Sequence, residues 1–102
     1  MKKMQKDVDQ WVSQYTPAYW QPHEILARLI EEVGELAREI NHQYGPKKKK
    51  GTEHTKEIAD EIGDIIFTII CLANREKIDL DSAWENVMAK CYNRDAERFT
   101  KK

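Results

Sequence analysis

The sequence predicts an all-α fold of four main helices in one domain. Long stretches place apolar residues three or four apart, which is the helical period. Glycine and proline are scarce, with four and three copies in 102 residues. A chain of this length forms one small domain, residues 1–102. The isoleucines of the third stretch would suit a strand, but the length and 3.6-residue period of that stretch favour a helix.

The first two helices are separated by a proline-bracketed break. The first is predicted over about residues 3–14, where one side is apolar. Pro17 and Pro22 enclose the break, because proline fits the first turn of a helix but not its interior. The second helix runs over about 22–44 and stops at Gly45-Pro46, a common stop signal.

A polar, lysine-rich loop at about 45–53 precedes the third helix, predicted over about 54–76. That helix is apolar on more than one side, and such helices are usually buried. One small subunit can hardly cover it, so we expect a homo-oligomer, either a dimer or a dimer of dimers. A fourth helix is predicted over about 80–93, with Asp79 or Asp81 as its N-cap.

Composition excludes several classes of function. Seventeen basic and eighteen acidic residues leave a formal charge of −1, which gives no support for specific nucleic-acid binding. No segment approaches the ~18 apolar residues that a membrane span requires. The N-terminal segment lacks the apolar core of a secretory signal. Cys71 and Cys91 do not form a C-x-x-C pair, so we expect free, buried thiols and a cytoplasmic location.

Two clusters of acidic residues carry most of the functional information. Glu32 and Glu35 are three apart on the second helix, as are Glu61 and Asp64 on the third, so each pair shares a helix face. If the helices pack side by side, four carboxylates converge, and magnesium prefers such oxygen ligands. A solvated acidic face is the alternative, and the alternation of acids with Arg38 on the second helix supports it. Spacing alone leaves both interpretations open.

The residues around these acids resemble the MazG-like nucleotide pyrophosphohydrolases. The likeness covers about residues 22–99 and rests on LIEEVGELARE, on EIGDIIF, and on a later Lys90-x-x-x-Arg94. It implies an all-α helical bundle completed by oligomerisation. It also implies Mg²⁺-dependent cleavage of (d)NTP to (d)NMP and pyrophosphate, with Mn²⁺ as a possible substitute, in nucleotide-pool housekeeping.

The resemblance assigns roles to individual acids. Glu32, Glu35, Glu61 and Asp64 occupy the positions of metal ligands. Glu32 and Glu35 are the expected catalytic carboxylates, and Glu35 is the candidate proton acceptor. Glu31 is rotated by about 100° around the helix, so we expect it to support the ligands rather than to bind the ion.

Basic residues are candidates for holding the substrate's phosphates. Lys90 and Arg94 lie one turn apart on the fourth helix, where the alternative is a solvated basic face. Arg28 lies one turn before Glu32 and could pair with that acid or with a phosphate.

Candidates for binding the nucleoside are less distinctive. Asn74 could contact the sugar or base, or it could be a polar residue at a helix end. Trp11, Tyr19 and Trp20 could stack on a base, but aromatic residues more often anchor a core or an interface.

Two other functions fit parts of the sequence. A di-iron carboxylate bundle needs two Glu-x-x-His pairs, and the chain offers Glu39-x-x-His42 without a matching second pair. A non-enzymatic helical oligomer could instead use the lysines at 47–50 to bind an anionic partner.

Overall fold

The computed structural model describes residues 1–45, 53–94 and 97–100, and the side chains of the third helix from residue 57 onward. The chain is helical throughout its regular structure in these ranges, without a strand, as predicted. The lysines at 47–50 lie outside the described residues. The helices are α1 Lys2–Val12, α2 Pro22–Tyr44, α3 Glu53–Arg75 and α4 Leu80–Asn93.

Local chemistry explains where α2 begins and ends. The backbone N–H of Gln21 donates to the Glu24 side chain at 2.9 Å, and the Gln21 side chain accepts from the Glu24 backbone, forming a capping box. Pro22 occupies the first helical turn. At the other end, the Gly45 N–H donates to the Asn41 carbonyl at 2.7 Å. A Cβ at Gly45 would overlap that same carbonyl oxygen, so this close approach requires glycine.

Asp79 is the N-cap of α4, and it is one of the two residues that the sequence analysis proposed for this position. Its side chain accepts from the backbone N–H of Asp81 at 3.0 Å and from the Ser82 hydroxyl at 3.1 Å. These bonds to its charged form lower the pKa of Asp79. Asp81 instead pairs with the N-terminal amine at 3.1 Å, which fastens the start of α1 to the start of α4.

Helix α3 is central, because α2 and α1 both pack against it. The apolar core between α1 and α3 contains Val8, Val12 and Ile70, with Tyr19 and Leu80 packed around it. Helix α4 buries none of its residues. The two helices that carry the acidic clusters are therefore neighbours, while α4 extends from this core.

A single copy of the chain leaves large apolar side chains in contact with solvent. On α2 they form a stripe at helical spacing, Leu26, Ile30, Val33 and Ile40. On α3, Ile62, Ile66 and Ile69 are likewise exposed. The prediction that α3 is apolar on several sides is correct, and one copy does not cover all of them.

Both cysteines are free, as expected. The expectation that both are buried is wrong for Cys91, which is exposed because α4 packs on so little. Cys71 is half-buried on α3, and burial raises the pKa of its thiol. No helix among the described residues is long and apolar enough to span a bilayer.

Candidate metal and nucleotide site

The interface between α2 and α3 brings the two acidic clusters together. The buried residues of α2 are Ile25, Glu32 and Glu39, spaced by seven, so one face of this helix lies against its neighbour. Glu32 is only 2% exposed. One carboxylate oxygen each from Glu32, Glu61 and Asp64 lie within 4.8 Å of one another. Three of the four predicted metal ligands therefore converge.

The fourth predicted ligand, Glu35, lies beside Glu61 at the edge of this cluster. Its negative charge acts on Glu61, and its carboxylate accepts a hydrogen bond from the protonated form of Glu61. The side chain of Glu31 is 67% exposed and approaches Arg28 at 4.0 Å. The supporting role expected for Glu31 stays a prediction.

The crowding of acids changes the protonation of Glu61. Burial disfavours its charged form, and Glu32 and Glu35 add hydrogen bonds and negative charge, so the pKa of Glu61 rises to about 7. When no proton is shared between these carboxyl groups, one oxygen of Glu32 and one of Glu61 are buried without a hydrogen-bond partner among the described residues. Buried oxygens of this kind are costly unless something electropositive approaches them. A donor set made of carboxylates alone fits a hard divalent cation such as magnesium.

Arg28 partly compensates the buried charge of Glu32. Its Nη2 atom lies 2.9 Å from Oε1 of Glu32, one helical turn along α2. The unpartnered oxygen of Glu32 is Oε2, so the pair uses one side of the carboxylate. Arg28 itself is half exposed, which allows its guanidinium to contact a phosphate as well.

A cavity of about 440 Å³ lies next to the acids. Glu32, Asp64 and Arg28 contribute to its wall. Much of the remaining wall is aromatic, formed by Trp11, Tyr15, Tyr19, Trp20 and Phe67. The cavity therefore joins a charged end to an aromatic one.

Contacts between rings organise part of the aromatic wall. Trp11 lies 5.1 Å from Tyr15 in a tilted arrangement and 5.9 Å from Phe67 edge to face, measured between ring centroids. These are favourable geometries for aromatic pairs. Helices α1 and α3 both contribute to this cluster, so the wall depends on their packing.

The other residues that the sequence proposed for substrate binding either line the cavity or lie outside it. Trp11, Tyr19 and Trp20 line the cavity, although the sequence favoured a core or interface role for them. Asn74 hydrogen-bonds to the Tyr19 hydroxyl behind that wall. Lys90 and Arg94 line neither the cavity nor the acidic cluster in a single copy.

The sequence analysis did not identify Phe67 and Thr68 as cavity residues. Both were detectable in principle, because they follow Asp64 by three and four positions and so share its face of α3. The sequence placed Tyr15 on the apolar side of the first helix, four positions after Trp11, but it did not identify Tyr15 as a cavity residue, and α1 ends before it at Val12.

The E-x-x-E of α2 and the E-x-x-D of α3 lie side by side next to an aromatic-lined cavity, which is the arrangement that the resemblance to all-α nucleotide pyrophosphohydrolases implies. Comparison with known proteins agrees. The MazG nucleotide pyrophosphohydrolase domain matches residues 21–99. The chain belongs to this MazG family.

Individual relatives support the same assignment. The chain is 48% identical over 102 residues to the uncharacterized protein YpjD of Bacillus subtilis strain 168, matching 100% of this chain and 92% of that protein. The crystal structure of YpjD superposes with a TM-score of 0.80 at 48% identity, covering 87% of this chain and 91% of the other. A Bacillus-conserved MazG protein, described as a nucleotide pyrophosphohydrolase, gives 0.79 at 44% identity, covering 94% and 93%.

Proposed function

We propose that the protein is a magnesium-dependent pyrophosphohydrolase that converts (d)NTP to (d)NMP and pyrophosphate. One observation carries the proposal: the convergent carboxylates of Glu32, Glu61 and Asp64 adjoin an aromatic-lined cavity. A nucleoside triphosphate has the matching asymmetry, with a polyanionic end and an aromatic end. The base would stack in the cavity, and the triphosphate would lie against the acids.

Four carboxylates would hold the cation, namely Glu32, Glu35, Glu61 and Asp64. Bare carboxylates repel a triphosphate, so bound Mg²⁺, or Mn²⁺ in its place, would neutralise phosphate charge and activate water. The unpartnered oxygens of Glu32 and Glu61 support this assignment, because they require an electropositive neighbour. A di-iron site is the weaker alternative, because no histidine belongs to this cluster among the residues that the structure describes.

Glu35 would accept the proton of the attacking water. It is next to the acidic cluster, through its contact with Glu61, without belonging to the three-carboxylate group. A carboxylate at the edge of the ligand set has an oxygen available for a proton, and proton transfer to a positioned base typically contributes about 10²–10⁴-fold. Glu32 would act by holding the cation in position next to Glu35, the proposed base.

Basic side chains would hold the phosphates from two directions. Arg28 would do so from within the same copy, since its guanidinium is at the cavity wall. Lys90 and Arg94 do not line the cavity of their own chain. We propose that they reach a phosphate in the site of a second copy, where α4 would gain the packing that it lacks in one copy.

The exposed stripes on α2 and α3 support a homodimer, with a dimer of dimers as the larger form. Apolar stripes of this length rarely face water in a stable monomer. Two free thiols fit a reducing cytoplasm, where nucleoside triphosphates are also found. Housekeeping of the nucleotide pool is the corresponding role, and it rests on family likeness.

Pyrophosphate release over a panel of ribo-, deoxyribo- and modified triphosphates, with and without magnesium, tests the proposal. We expect turnover only with the metal. Glu61→Gln removes a ligand charge, so its kcat should fall by about 10³-fold or more while the protein stays folded. Asp60→Asn is the matched control, because Asp60 is the adjacent, exposed acid on the same helix.

Turnover by the Asp60→Asn variant should stay within about two-fold of the wild type. Full activity of Glu61→Gln would refute the metal-site assignment. A wild-type protein that released phosphate instead of pyrophosphate would refute the proposed reaction while leaving the metal site in place.

A further inference from the structure

A hydrogen-bond network behind the cavity uses the one proton of the Tyr19 hydroxyl. Tyr19 donates to Oδ1 of Asp9 at 2.7 Å. It accepts from the Asn74 amide at 3.0 Å. A phenol has a single O–H to donate, so this hydroxyl cannot donate to a ligand without leaving Asp9.

Asn74 is in turn committed to Gln5 of α1. Its amide donates to the Gln5 backbone carbonyl at 2.9 Å, and its carbonyl accepts from Gln5 Nε2, also at 2.9 Å. Both amide protons of Asn74 are thereby used, one on Gln5 and one on Tyr19. This distribution leaves Asn74 no proton for a sugar or a base.

Gln5 extends the network to the start of α4. Its Nε2 donates to the Ile78 carbonyl at 2.9 Å, and its Oε1 accepts from the Leu80 backbone N–H at 3.1 Å. The network therefore joins α1, the segment containing Tyr19, the end of α3 and the start of α4. A connected set of satisfied polar groups fixes side-chain geometry more firmly than isolated bonds do.

We propose that Asp9 and Asn74 are positioning residues that fix the Tyr19 ring as a wall of the nucleotide cavity. The inference rests on the proposed function, because it assumes that the cavity receives the base. Tyr19 also packs on the core of Val8, Val12 and Ile70, which supports its ring from the other side. The hydroxyl serves as an anchor, and the ring serves as the contact surface.

The titration of Tyr19 agrees with this arrangement. Burial and the bond to Asp9 raise the pKa of Tyr19 to about 12. The hydroxyl therefore keeps its proton, and with it the bond to Asp9, across the physiological pH range.

Substitutions at Asp9 test the proposal with little risk to folding, because Asp9 is exposed. Asp9→Leu removes the acceptor, and we expect KM to rise by about ten-fold with kcat within two-fold, as for a partial loss of stacking. Asp9→Asn keeps an oxygen acceptor and should restore KM to near the wild-type value. Asp7→Leu is the control, because Asp7 lies on the same helix and pairs with Lys3 at 2.8 Å.

A double-variant cycle separates positioning from general damage. If Asp9 acts through the Tyr19 hydroxyl, Asp9→Leu combined with Tyr19→Phe should raise KM no more than Tyr19→Phe alone. Additive effects would overturn the proposal. Equal KM values for Asp9→Leu, Asp9→Asn and Asp7→Leu would overturn it as well.

Binding measured without turnover distinguishes this inference from the proposed function. The probe is a deoxyribonucleoside triphosphate with a methylene group between its α and β phosphorus atoms, and quenching of Trp11 and Trp20 fluorescence reports its Kd. If Asp9→Leu binds the probe more weakly than Asp9→Asn and Asp7→Leu do, but the wild-type protein cleaves no triphosphate, the proposed reaction is refuted and the positioning role is kept. If the probe does not bind the wild-type protein, both proposals fail.

Discussion

At the scale of single residues, the burial of the Glu32 carboxylate is evidence that this position serves a function. A carboxylate that is 2% exposed, with two further acids within reach, is unfavourable for folding. Arg28 offsets part of that cost through one oxygen. Arg28 does not offset the rest of this cost. An unfavourable side chain that is retained in a fold is typical of a functional site.

The raised pKa of Glu61 predicts how the stability of the metal-free protein depends on pH. Its pKa rises from an ordinary 4.5 to about 7 on folding, so the folded state binds more protons than the unfolded state between these values. The contribution of Glu61 to the free energy of unfolding must therefore fall as pH increases from about 4.5 to about 7. Melting temperatures recorded across this range in a chelating buffer would show the decline.

Two further measurements separate this effect from a general response to pH. Glu61→Gln cannot ionise, so its melting temperature should decline less over the same range. Magnesium or manganese should raise the melting temperature of the wild type most at the high end of the range, where the carboxylates are charged. An identical pH profile for Glu61→Gln would contradict the assignment of the effect to this residue.

At the scale of elements, α2 combines a buried acidic face with a glycine on a different face. A Cβ placed on Gly34 meets no atom within 4 Å. Glycine in a helix interior costs about 0.5–1 kcal/mol relative to alanine. We therefore expect Gly34→Ala to raise the free energy of unfolding by about that amount, measured by urea denaturation.

The experiment also tests whether anything covers this face of α2. Gly34 lies on average about 85° around the helix from the four residues of the apolar stripe, so it is beside the stripe rather than on it. A loss of stability in Gly34→Ala would show that a neighbouring chain packs there and would contradict the placement of the interface on the stripe.

Helix positions were predictable because local signals agree with the fold. Pro22 and Gly45 bracket α2, Asp79 caps α4, and the apolar period covers the segments between them. Helical spacing also predicted which acids share one face of each helix, whereas the packing of those two faces against each other was a condition of the prediction.

The aromatic end of the cavity was not predictable from such signals. Tyr19 lies between α1 and α2, where no period assigns a face, and tertiary packing decides its orientation. The bonds of Asn74 join residues 55 and 69 positions apart, a separation that sequence patterns do not encode. Lys90 does not line the cavity in a single copy, and the spacing of residues on one helix does not show which site its side chain approaches.

At the scale of the whole molecule, the exposed stripe on α2 is the strongest reason to expect self-association. Ile30 is its most exposed member, at 63%. A buried apolar side chain of this size contributes about 1.5–3 kcal/mol, and a charge in its place would also need a partner. Ile30→Asp should therefore weaken dimerisation on the order of 100-fold or more, as measured by sedimentation equilibrium.

Ala27→Asp is the control for Ile30→Asp, because it adds the same charge at an exposed position of α2 that lies on average about 105° around the helix from the four residues of the stripe. It should leave the sedimentation behaviour within about two-fold of the wild type. Dissociation should also lower kcat/KM in Ile30→Asp if Lys90 and Arg94 reach the site of a partner, and added protein should restore part of the activity by mass action. A variant that is monomeric and fully active would contradict the shared site, whereas a wild-type protein that is itself monomeric would contradict the interface.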